Sequence, residues 1–111
     1  MKLKWTVGEV PTGKYRCFEK RGWPWATYPD GNMAAHIYCK DAYEPRLVKE
    51  GKHGPLVVAI ADYNVVDVKT QGKFVWRKFQ PQAITLNEAK EFAKGVIEAR
   101  PEIHPKSPDV K

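Results

Sequence analysis

Serine is almost missing from this 111-residue chain, the sole one being Ser107 near the C-terminal end. A serine hydrolase is thereby excluded, because its nucleophile has to sit in a packed, oriented site. Two cysteines, Cys17 and Cys39, are too few for a disulfide scaffold, and in a cytoplasmic protein both are expected as thiols. No C-x-x-C or H-x-x-x-H spacing occurs, and His36 and Cys39 fall on opposite faces of one strand pattern, so no metal site is expected. No Gly-rich phosphate-binding loop is expected. The longest apolar run, Leu56 to Ala61, falls far short of the roughly 20 residues that span a bilayer. Met1-Lys2-Leu3-Lys4-Trp5 has no apolar stretch behind it, so neither a secretory signal nor a membrane partner is expected, and the expected location is cytoplasmic.

What the chain does have is a core's worth of apolar and aromatic side chains, 42% and 12% of its residues. That supports one folded domain, expected over residues 1–101, with 102–111 as a mobile tail containing Pro105 and Pro108. Gly, Pro and Asn punctuate the first eighty residues at short intervals, and β-branched and aromatic residues fill the runs between them, as in strands joined by turns. Strands are expected over 3–10, over 14–18 continuing to 25–28, and over 33–43, 55–63 and 73–79. Pro29-Asp30-Gly31-Asn32 is a turn. Pro24 lacks an N–H, which requires an edge or a bulge in the second strand. Met33, Ala35, Ile37 and Cys39 alternate with a mixed second face. The run from Leu56 is apolar on both faces and suits a central strand.

One helix is expected. Thr85-Leu86-Asn87-Glu88 has the T-x-x-E form of a capping box, with Ile84 and Ala89 at the hydrophobic-staple positions. Ala89, Phe92, Ala93, Val96 and Ile97 form its apolar stripe, and Pro101 ends it. Gly95 lies inside the helix at about 1 kcal/mol relative to Ala, with close approach to the sheet as the expected compensation. The expected fold class is α+β: an antiparallel four- to five-stranded meander sheet with one C-terminal helix packed on one face.

The net charge of +6 is segregated. Residues 1–25 carry six basic and two acidic side chains, residues 26–68 four and six, residues 69–80 four and none, and residues 81–111 five of each. The excess belongs to strands, which argues against a basic recognition helix in a major groove. Both basic segments interleave aromatics, and ammonium or guanidinium groups beside flat rings are what a sheet needs to hold phosphates and stack bases. The expected contacts are Arg16, Lys20, Arg21, Lys73, Arg77 and Lys78 to phosphate, with Trp23, Trp25 and Trp76 stacking or wedging. The competing reading makes those rings core and those charges solubilising. Cys17 with His36 or His53, and Asp62 on the apolar strand, are the groups an enzyme would use. No catalytic signature surrounds them, so no enzyme and no cofactor are expected. Asp62 reads equally as the strand's polar end paired to a neighbour such as Tyr63 or Asn64.

Arg21-Gly22-Trp23-Pro24-Trp25, Lys73-Phe74-Val75-Trp76-Arg77-Lys78-Phe79 and Thr85-Leu86-Asn87-Glu88-Ala89 together resemble one arrangement of known DNA-binding domains. It is that of the ethylene-response-factor domain and the arm-binding domains of phage-type integrases, over roughly Lys14 to Ala99. The resemblance implies an antiparallel sheet, backed by one helix, that enters DNA. This chain differs in an acidic stretch after Lys40 and in the spacing between Phe79 and Thr85. Ile84-Thr85-Leu86-Asn87 is also similar to the helix start of single-stranded-DNA-binding coactivators built from four strands and a C-terminal helix, which work as dimers. The expected function is therefore a small, non-enzymatic nucleic-acid-binding module, monomeric or homodimeric. The alternative is a protein-interaction module, such as a phage or mobile-element accessory protein, with an exposed apolar patch containing Trp5, Trp23 or Trp25.

Overall fold

The computed structural model describes residues 2–7, 23–39, 55–65, 74–82 and 85–105. Five antiparallel strands, β1 (Lys4–Thr6), β2 (Trp25–Thr27), β3 (Met33–Cys39), β4 (Leu56–Asp62) and β5 (Val75–Phe79), follow one another across the sheet in chain order. The helix α1 (Leu86–Ala99) lies over β3 and β4, so the meander with its C-terminal helix is as expected, in the five-stranded form. The expected strand over 14–18, the outer parts of the expected first and third strands, and Cys17 lie outside the described residues.

The β2–β3 connection shows how local chemistry sets the register. Asp30 accepts hydrogen bonds from the Asn32 backbone (2.9 Å) and from its side-chain amide (2.9 Å), while Gly31 N donates to the Tyr28 carbonyl (2.9 Å) and Tyr28 N to that of Asn32 (2.8 Å). Gly31 takes φ +91°, a left-handed conformation that glycine adopts without a Cβ clash. β2 lies inside the sheet, and Pro24 precedes it, so the missing N–H costs no ladder bond; its carbonyl accepts from Ile37 N at 3.0 Å. The register shift falls instead between Ala26 and Thr27.

Strand pairing sorts the residues into two rows. Trp5, Ala26, Ala35, Ile60 and Arg77 stand opposite one another across all five strands, and so do Thr6, Trp25, His36, Ala59 and Lys78. The first row faces the helix: Lys90 lies over the Trp5 ring, and Phe79, two residues beyond Arg77, meets Phe92 edge-on at 5.7 Å. The second row lies on the far face. All seven β4 residues are buried, in keeping with their unbroken apolar run. The second face of β3 differs from its expected mixed character, since Ala34 and His36 are buried as well. The reason at His36 is aromatic cover: Tyr38 stacks on its ring (5.2 Å, 13°) and Trp76 meets it edge-on (4.8 Å, 76°).

The capping box forms as its sequence predicts. Thr85 Oγ1 accepts from Glu88 N at 3.1 Å, and Thr85 N donates to the Glu88 carboxylate at 3.1 Å. Ala89, Ala93 and Ile97 are buried, with Leu86, Phe92 and Val96 half-buried beside them. Ile84, the other staple residue, lies outside the described residues. Gly95 corrects the expectation of close packing: it is exposed, and a Cβ built there meets nothing within 4 Å. Gly95→Ala is therefore expected to stabilise the protein by about 1 kcal/mol and to raise Tm by roughly 4 °C, read by thermal denaturation. A lower Tm would mean that a neighbour does cross at this turn.

Pro101 ends α1, and Pro101–Ile103 forms a single 3-10 turn. The chain stays docked past the expected boundary at 101. Ile103 is buried, its carbonyl accepts from Tyr63 N at 2.9 Å, and His104 Nε2 donates to the Ile97 carbonyl. The reason is that Ile103 belongs to the same buried core cluster as Tyr28 and Tyr63, and so is held by burial. Residues 106–111 of the expected tail lie outside the described residues. Among the described residues no helix is long and apolar enough to cross a membrane.

Candidate nucleic-acid interface

Of the nine expected contact residues, Arg16, Lys20, Arg21 and Lys73 lie outside the described residues. The other five are dispersed by strand alternation. Trp25, Trp76 and Lys78 share the far face, Arg77 is on the helix side, and Trp23 is only 3% exposed within the core. Trp23 was expected to stack or wedge, but its burial withholds the ring from a ligand. The same burial removes it from the exposed patch that a protein-interaction module requires.

The far face is built around His36. Trp25 stands opposite it on β2, Tyr38 stacks on it from within β3, and Trp76 packs against it from β5. Trp25, Tyr38 and Trp76 are half-buried, whereas Lys4 on β1 and Lys78 on β5 are exposed at the two outer strands. From Trp76 the rings continue round the end of the sheet: Phe74 at 4.9 Å, Tyr63 at 4.9 Å from Phe74, Tyr28 at 6.4 Å from Tyr63, and His104 at 5.6 Å from Tyr28. The Tyr63 hydroxyl donates to the Met33 carbonyl at 2.7 Å. The Tyr28 hydroxyl has no hydrogen-bond partner among the described residues. Burial, reinforced by the nearby Asp30 charge, pushes its pKa up from 10.0 to about 12.

Arg77 is engaged. Its Nε donates to the carboxylate of Asp62, which is 1% exposed while the arginine side chain is 51% exposed. Asp62 also accepts from Asn64 N at 2.9 Å. Of the two readings of Asp62, the geometry matches the paired strand end, with Arg77 as an added partner across β4 and β5. Cys39 is buried on the helix side of β3, and among the described residues no group of three or more His, Cys, Asp and Glu side chains converges as a metal site would.

Sequence reasoning missed a third basic cluster. An open cleft of about 290 Å³ lies between β1 and α1, lined by Lys2, Leu3, Trp5, Asn87, Lys90, Glu91 and Lys94. The signal was present as Asn87, Lys90, Glu91 and Lys94, which recur at i, i+3, i+4 and i+7 and share one helix face. It was hidden by the neutral sum over residues 81–111, to which Glu88, committed to the cap, contributes. A near-match was also passed over. Gly8 to Lys14 has the G-x-x-x-x-G-K spacing, but Tyr15 stands where the Mg²⁺-binding Ser or Thr belongs, and the segment lies outside the described residues.

No protein family, curated protein or solved structure matches this chain.

Proposed function

We propose that the protein is a small nucleic-acid-binding module without catalytic activity, and that the sheet face away from the helix is its binding surface. One observation carries the reading: three half-buried rings, Trp25, Tyr38 and Trp76, surround His36 on that face, with exposed Lys4 and Lys78 on the outer strands. Half-buried rings are held in place yet keep an accessible edge or face for a base, and flanking ammonium groups neutralise phosphates. Lys78 rather than Arg77 is the phosphate contact on β5, because strand alternation puts Arg77 on the helix side, where it pairs with Asp62.

A salt titration of binding to single- and double-stranded oligonucleotides tests this. Affinity is expected to fall steeply and linearly on log–log axes, and Lys78→Gln to make that slope shallower by about 1. Absence of binding to either form at about 50 mM salt would end the proposal.

A further inference from the structure

We propose that the cleft between β1 and α1 is a second nucleic-acid contact that holds one phosphate-bearing nucleotide unit of a single strand. The inference rests on the nucleic-acid reading for the strand as the source of the phosphate. The site itself is argued from separate residues.

Charge comes first. Lys2, Lys90 and Lys94 supply three ammonium groups to the cleft and Glu91 one carboxylate, a net of +2 in a space of about 290 Å³. Among the described residues none of the three lysines has a salt-bridge partner, in contrast to Arg77. Lys90 is also positioned: its Nζ lies 5.5 Å from the centroid of the Trp5 ring, close enough for a cation–π attraction to hold the ammonium at the cleft wall. The helix wall is rigid, because α1 is capped at Thr85 and anchored through Ala89, Ala93 and Ile97. The helix terminus is not the anion site, since Thr85 and Glu88 already satisfy each other there. The lysine side chains provide the binding.

The remaining lining narrows the ligand. Lysine ammoniums are point charges that suit a tetrahedral phosphate without demanding a planar partner. Leu3 and the half-buried Trp5 give an apolar wall for a sugar or base, and Asn87 offers an amide. Glu91 would repel a second phosphate but accept from a sugar hydroxyl or a base amino group, which favours a nucleotide unit over inorganic phosphate. The cleft's volume is that of about one nucleotide, which favours a single strand, whose sugar and base are free to turn into it. β1 is one of the two outer strands of the described sheet, with Lys4 on its far face and Trp5 on its helix face, so a single strand crossing its edge would meet basic groups on both sides.

The test compares wild type, K90Q/K94Q and E91Q, all on the helix face that lines the cleft, where glutamine keeps the helix. Fluorescence anisotropy is read with a single-stranded oligonucleotide of about 12 residues and with the matching duplex. The double variant is expected to lose roughly 10-fold in single-strand affinity and about 0.7 in salt slope, as loss of one phosphate contact requires, with little change for duplex. E91Q is expected to bind the single strand several-fold more tightly. Equal single-strand affinities for wild type and K90Q/K94Q overturn the cleft while leaving the far-face reading intact. If wild type binds neither oligonucleotide, the nucleic-acid reading falls, and the cleft is then judged with adenosine monophosphate. Shifts of the Lys90 and Lys94 Nζ resonances on titration uphold it as a nucleotide site, and unmoved resonances overturn it.

Discussion

Between pH 10 and pH 12 the protein is expected to lose on the order of 2 kcal/mol of stability through one group, the Tyr28 hydroxyl. In the unfolded chain this phenol ionises near its ordinary pKa of 10.0, whereas in the fold burial and the adjacent Asp30 hold it neutral up to about 12. Above pH 10 the unfolded state therefore binds fewer protons than the folded state, and stability falls as pH rises. Below pH 10 both states keep the proton, and the contribution is fully present. Tyr28→Phe removes the titrating group and should flatten this part of the curve. At pH 7 the same substitution is expected to stabilise the protein by roughly 1 kcal/mol, because it deletes a buried hydroxyl that has no partner among the described residues. Urea unfolding of both proteins across this range measures the effect, and parallel curves would refute it.

Arg77→Met is expected to cost about 2 kcal/mol, far more than a typical change at a half-exposed position. The variant keeps the aliphatic stem but leaves Asp62, 1% exposed, with Asn64 N as its one remaining hydrogen-bond donor among the described residues. A fully buried pair would cost more; exposure of the guanidinium to solvent moderates the loss. Adding Asp62→Asn to Arg77→Met should recover about half of it, since a neutral amide is less costly to bury than an unpaired carboxylate. Lys78→Gln, next in sequence but on the opposite face, should stay within about 0.5 kcal/mol of wild type. Chemical denaturation of the four proteins decides the matter. If Arg77→Met were as stable as Lys78→Gln, the ion pair would contribute nothing to stability.

These two residues also show where reading the sequence stops. Alternation along Lys73 to Phe79 puts Arg77 and Lys78 on opposite faces, and this holds in the structure. Which face carries the helix, and that Asp62 lies within reach of Arg77, depends on pairing between segments thirteen residues apart. The capping box was legible because all its partners lie within four residues, and the β2–β3 turn was legible for the same reason. Gly95 was misread because a helical glycine suggests close packing only when it faces a neighbour, and the apolar stripe that docks α1 turns it outward.

Composition, alternation and local capping by themselves pointed to an antiparallel sheet of four to five strands with a C-terminal helix, because those signals act over a few residues and each is strong where it acts. Tertiary structure alone decided which charges remain available. It buried Trp23, tied Arg77 to Asp62, gathered Trp25, Tyr38 and Trp76 around His36, and brought Lys2 and Trp5 from one end of the chain against Lys90 and Lys94 near the other. Such juxtapositions follow from strand order and helix docking, which join residues far apart in sequence and leave no periodic trace in it.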